Sequence, residues 1–375
     1  MEAKSHSILL ATFGLLFGFL MALLPSCAYF PLKTKHIDFS RVNLPQAITL
    51  CDEVIPLDSP SVWEKLDREF TIAVWERPQV ILWLKRAGRY FPYLEKKLAE
   101  EGLPDDLKYL AVAESALITG IRSSKGAVGL WQLMASTGRE YGLRRNQMID
   151  ERLDFERATD AALNYLKHLR DTFPSWTMVL AAYNCGEYCL KREIRKQKVD
   201  DFYSLNLPSE TERFIFRITA IKIIMENPQG YGYNLEEEQI YQPLEYDSVP
   251  VKIDKQLHLA YVAAAIGSEY RVLKELNPHI LRHQLPTGQY TIKVPLGSES
   301  RLTAALQPPV NKASGEVSEP SPYHYVVEAG DTLSHISVRT GISVKTLKRL
   351  NNIQGSLLRV GQRLRLAPSP DIFSY

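Results

Sequence analysis

Asp105-Asp106-Leu107-Lys108-Tyr109-Leu110-Ala111-Val112-Ala113-Glu114-Ser115-Ala116-Leu117 places Leu107, Leu110, Glu114 and Leu117 at steps of three, four and three. That spacing predicts a helix with all four residues on one face. Gly102-Leu103-Pro104 ends the preceding segment; Pro104 suits a first helical turn, and Asp105 and Asp106 suit its positive end. A carboxylate among three leucines is out of place. Burial there disfavours its charged form and raises its pKa, as a general acid near neutral pH requires. A structural carboxylate, paired with a buried Arg or reaching out at the edge of the core, explains the same helix equally well.

Outward from this stretch, amphipathic segments at 62–76, 80–90 and 155–173 extend the helical pattern over a domain at 59–230, with an extension at 28–58 before it. A smaller unit at 249–296 reads strand, helix, helix, strand. Residues 298–322 contain Gln307-Pro308-Pro309 and Glu319-Pro320-Ser321-Pro322 and read as a linker. A last unit at 323–367 repeats the strand, helix, helix, strand order, with Asp331 and Ser343 placed as helix N-caps. The expected fold class is therefore an all-α domain followed by small α+β modules. Lys plus Arg number 45 and Asp plus Glu 43, for a net charge of +2 without long blocks of either sign, so no nucleic-acid footprint is indicated.

Residues 1–27 read as an export signal: Lys4, an apolar run from Ile8 to Leu24, then Leu24-Pro25-Ser26-Cys27. The ending is similar to a bacterial lipoprotein signal with Cys27 as the lipidated residue, and an uncleaved anchor or an ordinary cleaved signal stays open. The partner on this side is a membrane, reached through a lipid or an anchor. Cys51, Cys185 and Cys189 remain; Cys185 and Cys189 are near enough in sequence to form a disulfide across Gly186, or they are small buried thiols. His279 and His283 stand at helical spacing without further ligands nearby, so no metal site is expected.

Two polar clusters follow Glu114, each in a Gly-marked break: Gly129-Leu130-Trp131-Gln132 and Ala182-Tyr183-Asn184-Cys185-Gly186. With Glu114-Ser115 they resemble, in order and spacing, the three signature motifs of the lysozyme-like lytic transglycosylases. The stretch 55–117, with Trp83-Leu84-Lys85-Arg86, is similar to the membrane-bound type D branch of lytic murein transglycosylases. The resemblance implies a lysozyme-like catalytic domain and, as substrate, the glycan strands of peptidoglycan.

It also implies that Glu114 protonates the glycosidic oxygen between N-acetylmuramic acid and N-acetylglucosamine and then takes the proton of the muramic C6 hydroxyl, leaving a 1,6-anhydro end. Ser115 would contact the carboxylate or sugar, Gln132 and Asn184 would bond around the acid and the N-acetyl group, and Tyr183 would orient Glu114. Trp131 either lines the cleft or fills core. Leu117, Ala135, Cys185 and Phe214 depart from the usual pattern, and Phe214 removes a hydroxyl from the cleft. No cofactor is implied.

Val326-Val327-Glu328-Ala329-Gly330-Asp331-Thr332-Leu333 and Leu350-Asn351-Asn352-Ile353 resemble a LysM domain, and the unit at 249–296 a degenerate copy. The resemblance implies a glycan groove between Gly330, Asp331, Thr332, Leu333 and the loop with Ile353. Implied location is the cell envelope, as an outer-membrane lipoprotein facing the periplasm. A lysozyme-like hydrolase and an inactive peptidoglycan-binding scaffold are the alternative readings.

Overall fold

The computed structural model describes residues 43–306, 324–340 and 342–366. Cys27, the export signal and most of the 298–322 linker lie outside them. Among the described residues no helix is long and apolar enough to cross a membrane.

A hairpin of β1 (Thr49–Leu50) and β2 (Glu53–Val54) leads into α1 (Pro60–Trp75) and α2 (Arg77–Glu100). A 3-10 turn Asp105–Leu107 feeds the short α3 (Lys108–Ser115), and α4 (Ala135–Glu140), α5 (Phe155–Thr172), α6 (Trp176–Cys185), α7 (Glu187–Gln197) and α8 (Ser209–Glu226) complete the helical domain. The domain is all-α and lysozyme-like, as the motifs implied.

Its centre is α6, in which every residue from Trp176 to Ala182 is buried. A helix apolar on all sides has to be surrounded by others, and α5, α7 and α8 pack on it. Glu53 of the hairpin accepts hydrogen bonds from the Trp176 and Thr177 amides at 2.6 and 3.2 Å, and Ser175 caps Met178. These acceptors satisfy amide groups that have no partner within the helix. The 28–58 extension thus has a packing role at its end.

The middle module pairs β3 (Tyr246–Ile253) antiparallel with β6 (Gly288–Pro295), from Tyr246 opposite Pro295 to Ile253 opposite Gly288. Between them lie β4 (Leu257–His258), α9 (Leu259–Ile266), α10 (Tyr270–Leu276) and β5 (Gln284–Leu285). Residues 299–306, expected as the start of the linker, form instead α11 (Glu299–Leu306). Leu302 on this helix is buried in the module's core, an anchor that a flexible linker lacks.

This module is not a bead on a string. Ile149 of the helical domain belongs to the module's core, the Asp150 amide bonds the His279 carbonyl at 2.9 Å, and the Leu281 amide bonds the Met148 carbonyl at 2.7 Å. The buried Lys293 ammonium lies 3.1 Å from Asp154 and 3.2 Å from Glu156, and Tyr246 donates to Glu156 at 2.5 Å. Burial pushes the Asp154 carboxyl up, but Lys293, His279 and the Arg157 amide outweigh it and hold it below the usual carboxylate range. Burial pushes His279 down to about 4, so at neutral pH it stands uncharged beside Asp154.

Removing one partner of a buried pair leaves the other charge uncompensated, at roughly 3–5 kcal/mol. Lys293→Met is therefore expected to lower unfolding free energy by about 3 kcal/mol or more in a denaturant titration. A change of a few tenths would mean that the seam is held by apolar contacts alone.

The C-terminal module pairs β7 (His324–Val326) with β8 (Arg363–Arg365) around α12 (Leu333–Thr340) and α13 (Val344–Leu350). Ser343 caps α13 as expected. At α12 the cap comes from the Thr332 hydroxyl, which accepts from the His335 amide; Asp331 accepts from the Glu328 amide and the Tyr325 hydroxyl. Leu333, expected in the glycan groove, is 4% exposed and packs with Val327, Ile336, Leu347 and Leu364, so its side chain serves the core. Gly330 and Thr332 are exposed, Asp331 is partly so, and Ile353 packs partly against the same core.

Candidate active site

Three breaks in helical structure carry the polar residues. The first ends α3. Ala116 and Leu117 both take left-handed backbone, with φ of 53° and 59°, a conformation costing a non-glycine residue roughly 1–2 kcal/mol. The helix therefore stops at Ser115, short of the Leu117 that the sequence pattern included. The Arg86 guanidinium on α2 donates to the Ala116 carbonyl at 3.0 Å and clamps the turn. Leu107, Leu110 and Leu117 are each no more than 1% exposed and wall the partly exposed Glu114.

No hydrogen bond or ion pair to the Glu114 carboxylate occurs among the described residues. Burial pushes it up, Arg217 pulls it down and Glu210 pushes it up again, to about 8. The structural alternative of a Glu paired with a buried Arg is not what the geometry holds. The carboxyl should thus keep its proton up to near pH 8, and Arg217→Met, which removes the one attractive charge, should move its titration higher. Carbon-13 NMR of labelled glutamate reads both; titration near pH 4 to 5 would contradict the burial argument.

The second break is the turn at 121–133, where Val128 bridges Arg122 on one side and Leu133 on the other. Gly129 has φ of +86°, and a Cβ there would sit 1.9 Å from the Arg152 carbonyl oxygen, so only glycine fits. Gln132, at φ 45°, donates its amide to the Gly129 carbonyl at 2.8 Å, which leaves its Oε1 as the open acceptor. Arg152 is 2% exposed; it pairs with Asp150 through two 2.9 Å bonds and donates to the Gly126 and Leu133 carbonyls at 3.0 and 2.9 Å. Asp150 is the residue whose amide bonds His279, so the middle module and this turn share one brace.

The third break is Gly186, with φ of +90°, where α6 ends. The last turn before it carries Tyr183 and Asn184. The Tyr183 hydroxyl donates to the Trp131 carbonyl at 2.7 Å and thereby ties the second break to the third. It makes no hydrogen bond to Glu114, the carboxyl it is expected to orient, although its ring stands close enough for the Glu114 charge to push it up, after burial itself. The Asn184 Oδ1 accepts from Thr211 of α8 at 2.9 Å, leaving its N–H groups to point elsewhere.

Tyr183 lies within reach of the Glu114 charge, and its hydroxyl joins the turn of Gln132 to the helix end that carries Asn184, whereas two expected members face inward. Trp131 is fully buried with its indole N–H donating to Thr159 at 3.0 Å, so it fills core and offers no face to a sugar. Ser115 is 3% exposed, and its hydroxyl bonds the Ala111 carbonyl at 3.1 Å, away from the carboxylate. Cys185 and Cys189 are free thiols, one at the end of α6 and one in the first turn of α7. Of the two readings left open for this pair, the disulfide across Gly186 is not formed. Burial, and the neighbouring Cys189 thiol after it, push Cys185 up to about 12, so it is no nucleophile near neutral pH.

Sequence reading missed the roles of Arg86, Arg152, Thr211, Glu210 and Arg217. Arg86 carried a signal as part of Trp83-Leu84-Lys85-Arg86, and Glu210 and Thr211 carried one within Pro208-Ser209-Glu210-Thr211 at the head of α8. Glu210 is exposed and bridges Lys125 at 3.4 Å.

Residues 92–206 match the model of the transglycosylase SLT domain, 325–367 that of the LysM domain, and 248–309 that of the LysM-like domain of lytic transglycosylase MltD. The chain is 32% identical over 316 residues to membrane-bound lytic murein transglycosylase D of Escherichia coli K12, and equally to that of the O6:H1 strain. The match covers 77% of this chain and 68% of the relative in each case. A crystal structure of lytic transglycosylase Slt from Pseudomonas aeruginosa matches over 40% of this chain and 26% of that one, at 18% identity and a TM-score of 0.28.

Proposed function

The chain belongs to the family of membrane-bound lytic murein transglycosylase D and is a lytic transglycosylase of the cell envelope with peptidoglycan as its partner; on that premise we propose that Glu114 is its only catalytic acid and base and that its product ends in 1,6-anhydro-N-acetylmuramic acid. The observation that carries this reading is a carboxyl walled by Leu107, Leu110 and Leu117 with no ion-pair partner among the described residues, which burial holds protonated to about pH 8.

Glu114 gives its proton to the oxygen linking muramic C1 to glucosamine C4, and that C1–O bond breaks with the pair leaving on oxygen. The muramic C6 hydroxyl then bonds C1 of its own ring and passes its proton back to the Glu114 carboxylate. Water is neither consumed nor activated, and the acid is regenerated. Attack within one ring needs no second carboxylate to place a nucleophile. The Gln132 Oε1 and the Asn184 N–H groups supply an acceptor and donors for the N–H and C=O of an N-acetyl substituent. Tyr183 keeps the two turns in register.

Gly330, Asp331, Thr332 and the loop of Ile353 form the glycan groove of the C-terminal module, and a weak binder on the same chain raises the local strand concentration. Cys27 carries a lipid that holds the enzyme at the outer membrane, facing the periplasm.

One observation favours a second reading. The Glu210 charge acts on Glu114, so a hydrolase with Glu210 as its water-activating carboxylate is the competing mechanism. Mass spectrometry of soluble products from peptidoglycan treated with the detergent-solubilised chain separates them. Anhydro ends that survive Glu210→Gln support the lyase, and reducing ends that vanish with it support the hydrolase.

A further inference from the structure

On α1 the buried Glu69, 3% exposed, is approached by three guanidinium groups. Arg68 contacts its Oε1, Arg213 donates from Nε at 2.7 Å and Nη2 at 3.4 Å, and Arg217 stands 4.0 Å from Oε2. One carboxylate neutralises one cation, so two positive charges are left over. Lys65 and Lys125, tied to α8 through Glu212 and Glu210, do not add to this surplus, because each is matched by its own carboxylate. The three arginine side chains are 53%, 43% and 37% exposed and therefore open to a ligand.

The cluster's position gives the surplus meaning. Arg213 and Arg217 lie on α8, the helix whose Thr211 bonds Asn184, and Arg217 is the cation whose field reaches Glu114. A neutral sugar polymer needs no such field. Each muramic acid unit, however, carries a lactyl carboxyl, either free or extended by a peptide with its own carboxylates. Arginine's planar fork matches a carboxylate with two parallel bonds.

We propose that Arg68, Arg213 and Arg217 form a carboxylate-binding subsite beside the catalytic cleft, which holds the anionic substituents of muramic acid and selects charged strands over neutral ones. The inference rests on the reading of Glu114 as the acid that cleaves peptidoglycan.

The test uses the full chain in detergent on three soluble strand preparations of equal length: peptide-bearing strands, amidase-stripped strands with free lactyl carboxylates, and stripped strands whose carboxylates have been converted to amides. The wild type is expected to show about tenfold higher kcat/KM on at least one charged preparation than on the amidated one, mainly through KM. In the Arg68→Gln/Arg213→Gln double variant that preference should fall to within about twofold. A preference shown only on peptide-bearing strands assigns the peptide carboxylates, and one retained on stripped strands assigns the lactyl group.

An unchanged preference in the variant, or none in the wild type, overturns the proposal, as does an equal loss on all three preparations with a lowered melting temperature. Arg68→Gln alone leaves Arg213 and Arg217 on Glu69, so it reports on ligand charge with less risk to the fold. Glu114→Gln run alongside separates the two ideas: its retained activity would sink the acid assignment, whereas the charge preference judges the arginines alone.

Discussion

Glu114→Gln is expected to reduce turnover by about a thousandfold or more while making the protein more stable at pH 7. The two halves of that result have one physical cause. A carboxyl raised from 4.5 to about 8 is harder to ionise in the folded chain than in the unfolded one. Below pH 4.5 both states hold the proton and the penalty vanishes. As pH rises through 4.5 the unfolded state releases its proton while the folded state keeps it, so stability falls until the folded group also ionises near pH 8.

Between pH 4.5 and pH 7 the penalty accumulates to an upper bound of about 3 kcal/mol, and glutamine escapes it because it does not titrate. A melting temperature higher by several degrees at pH 7, and converging on the wild type at pH 4, is the expected calorimetric record. Loss of activity without that crossover would mean that the mutation removes a structural bond and that Glu114 is partnered in solution. Retained activity would remove it from the mechanism.

The helix with Glu114 on its apolar face was legible because a helical period and a misplaced charge both lie within one short segment. The two Gly-marked motifs were legible as residues but not as geometry. The Tyr183 hydroxyl ties the turn of Gln132 to the end of α6 that carries Asn184, a link between distant segments that no local pattern encodes. Trp131, beside Gln132, and Ser115, beside Glu114, point inward, the first to Thr159 and the second to Ala111. A motif thus names positions without saying which side of the backbone faces the cleft.

The roles of Arg86 and Arg152 were invisible for a related reason: their partners are main-chain carbonyls, which every residue supplies, at sequence separations of 30 for Ala116 and 19 for Leu133. The middle module's seam with the helical domain was equally hidden. Asp154 reads locally as a helix N-cap, and only the fold shows Lys293 and His279 on the same carboxylate.

Gly129→Ala is expected to cost more than any other single methyl group in the domain, with a loss of about 3–4 kcal/mol in stability and about a hundredfold in turnover. Its φ of +86° alone would cost an L-residue roughly 1 kcal/mol. The larger part comes from the added Cβ, 1.9 Å from the Arg152 carbonyl oxygen and 3.0 Å from its carbon. That backbone cannot retreat freely, because the Arg152 side chain is fixed by Asp150 and by the Gly126 and Leu133 carbonyls on either side of the turn. The turn must move instead, and with it Gln132, whose amide is bonded to the Gly129 carbonyl, and the Trp131 carbonyl that receives the Tyr183 hydroxyl. Displacing such groups by about an ångström is enough for a hundredfold loss. Gly142→Ala is the internal control: its φ is +85°, but nothing lies within 4 Å of the added carbon. That variant should lose about 1 kcal/mol and little activity. If the two alanine variants melt together and turn over alike, the contact with Arg152 does not hold the turn, and the route from the middle module through Asp150 and Arg152 to Gln132 is not the site's brace.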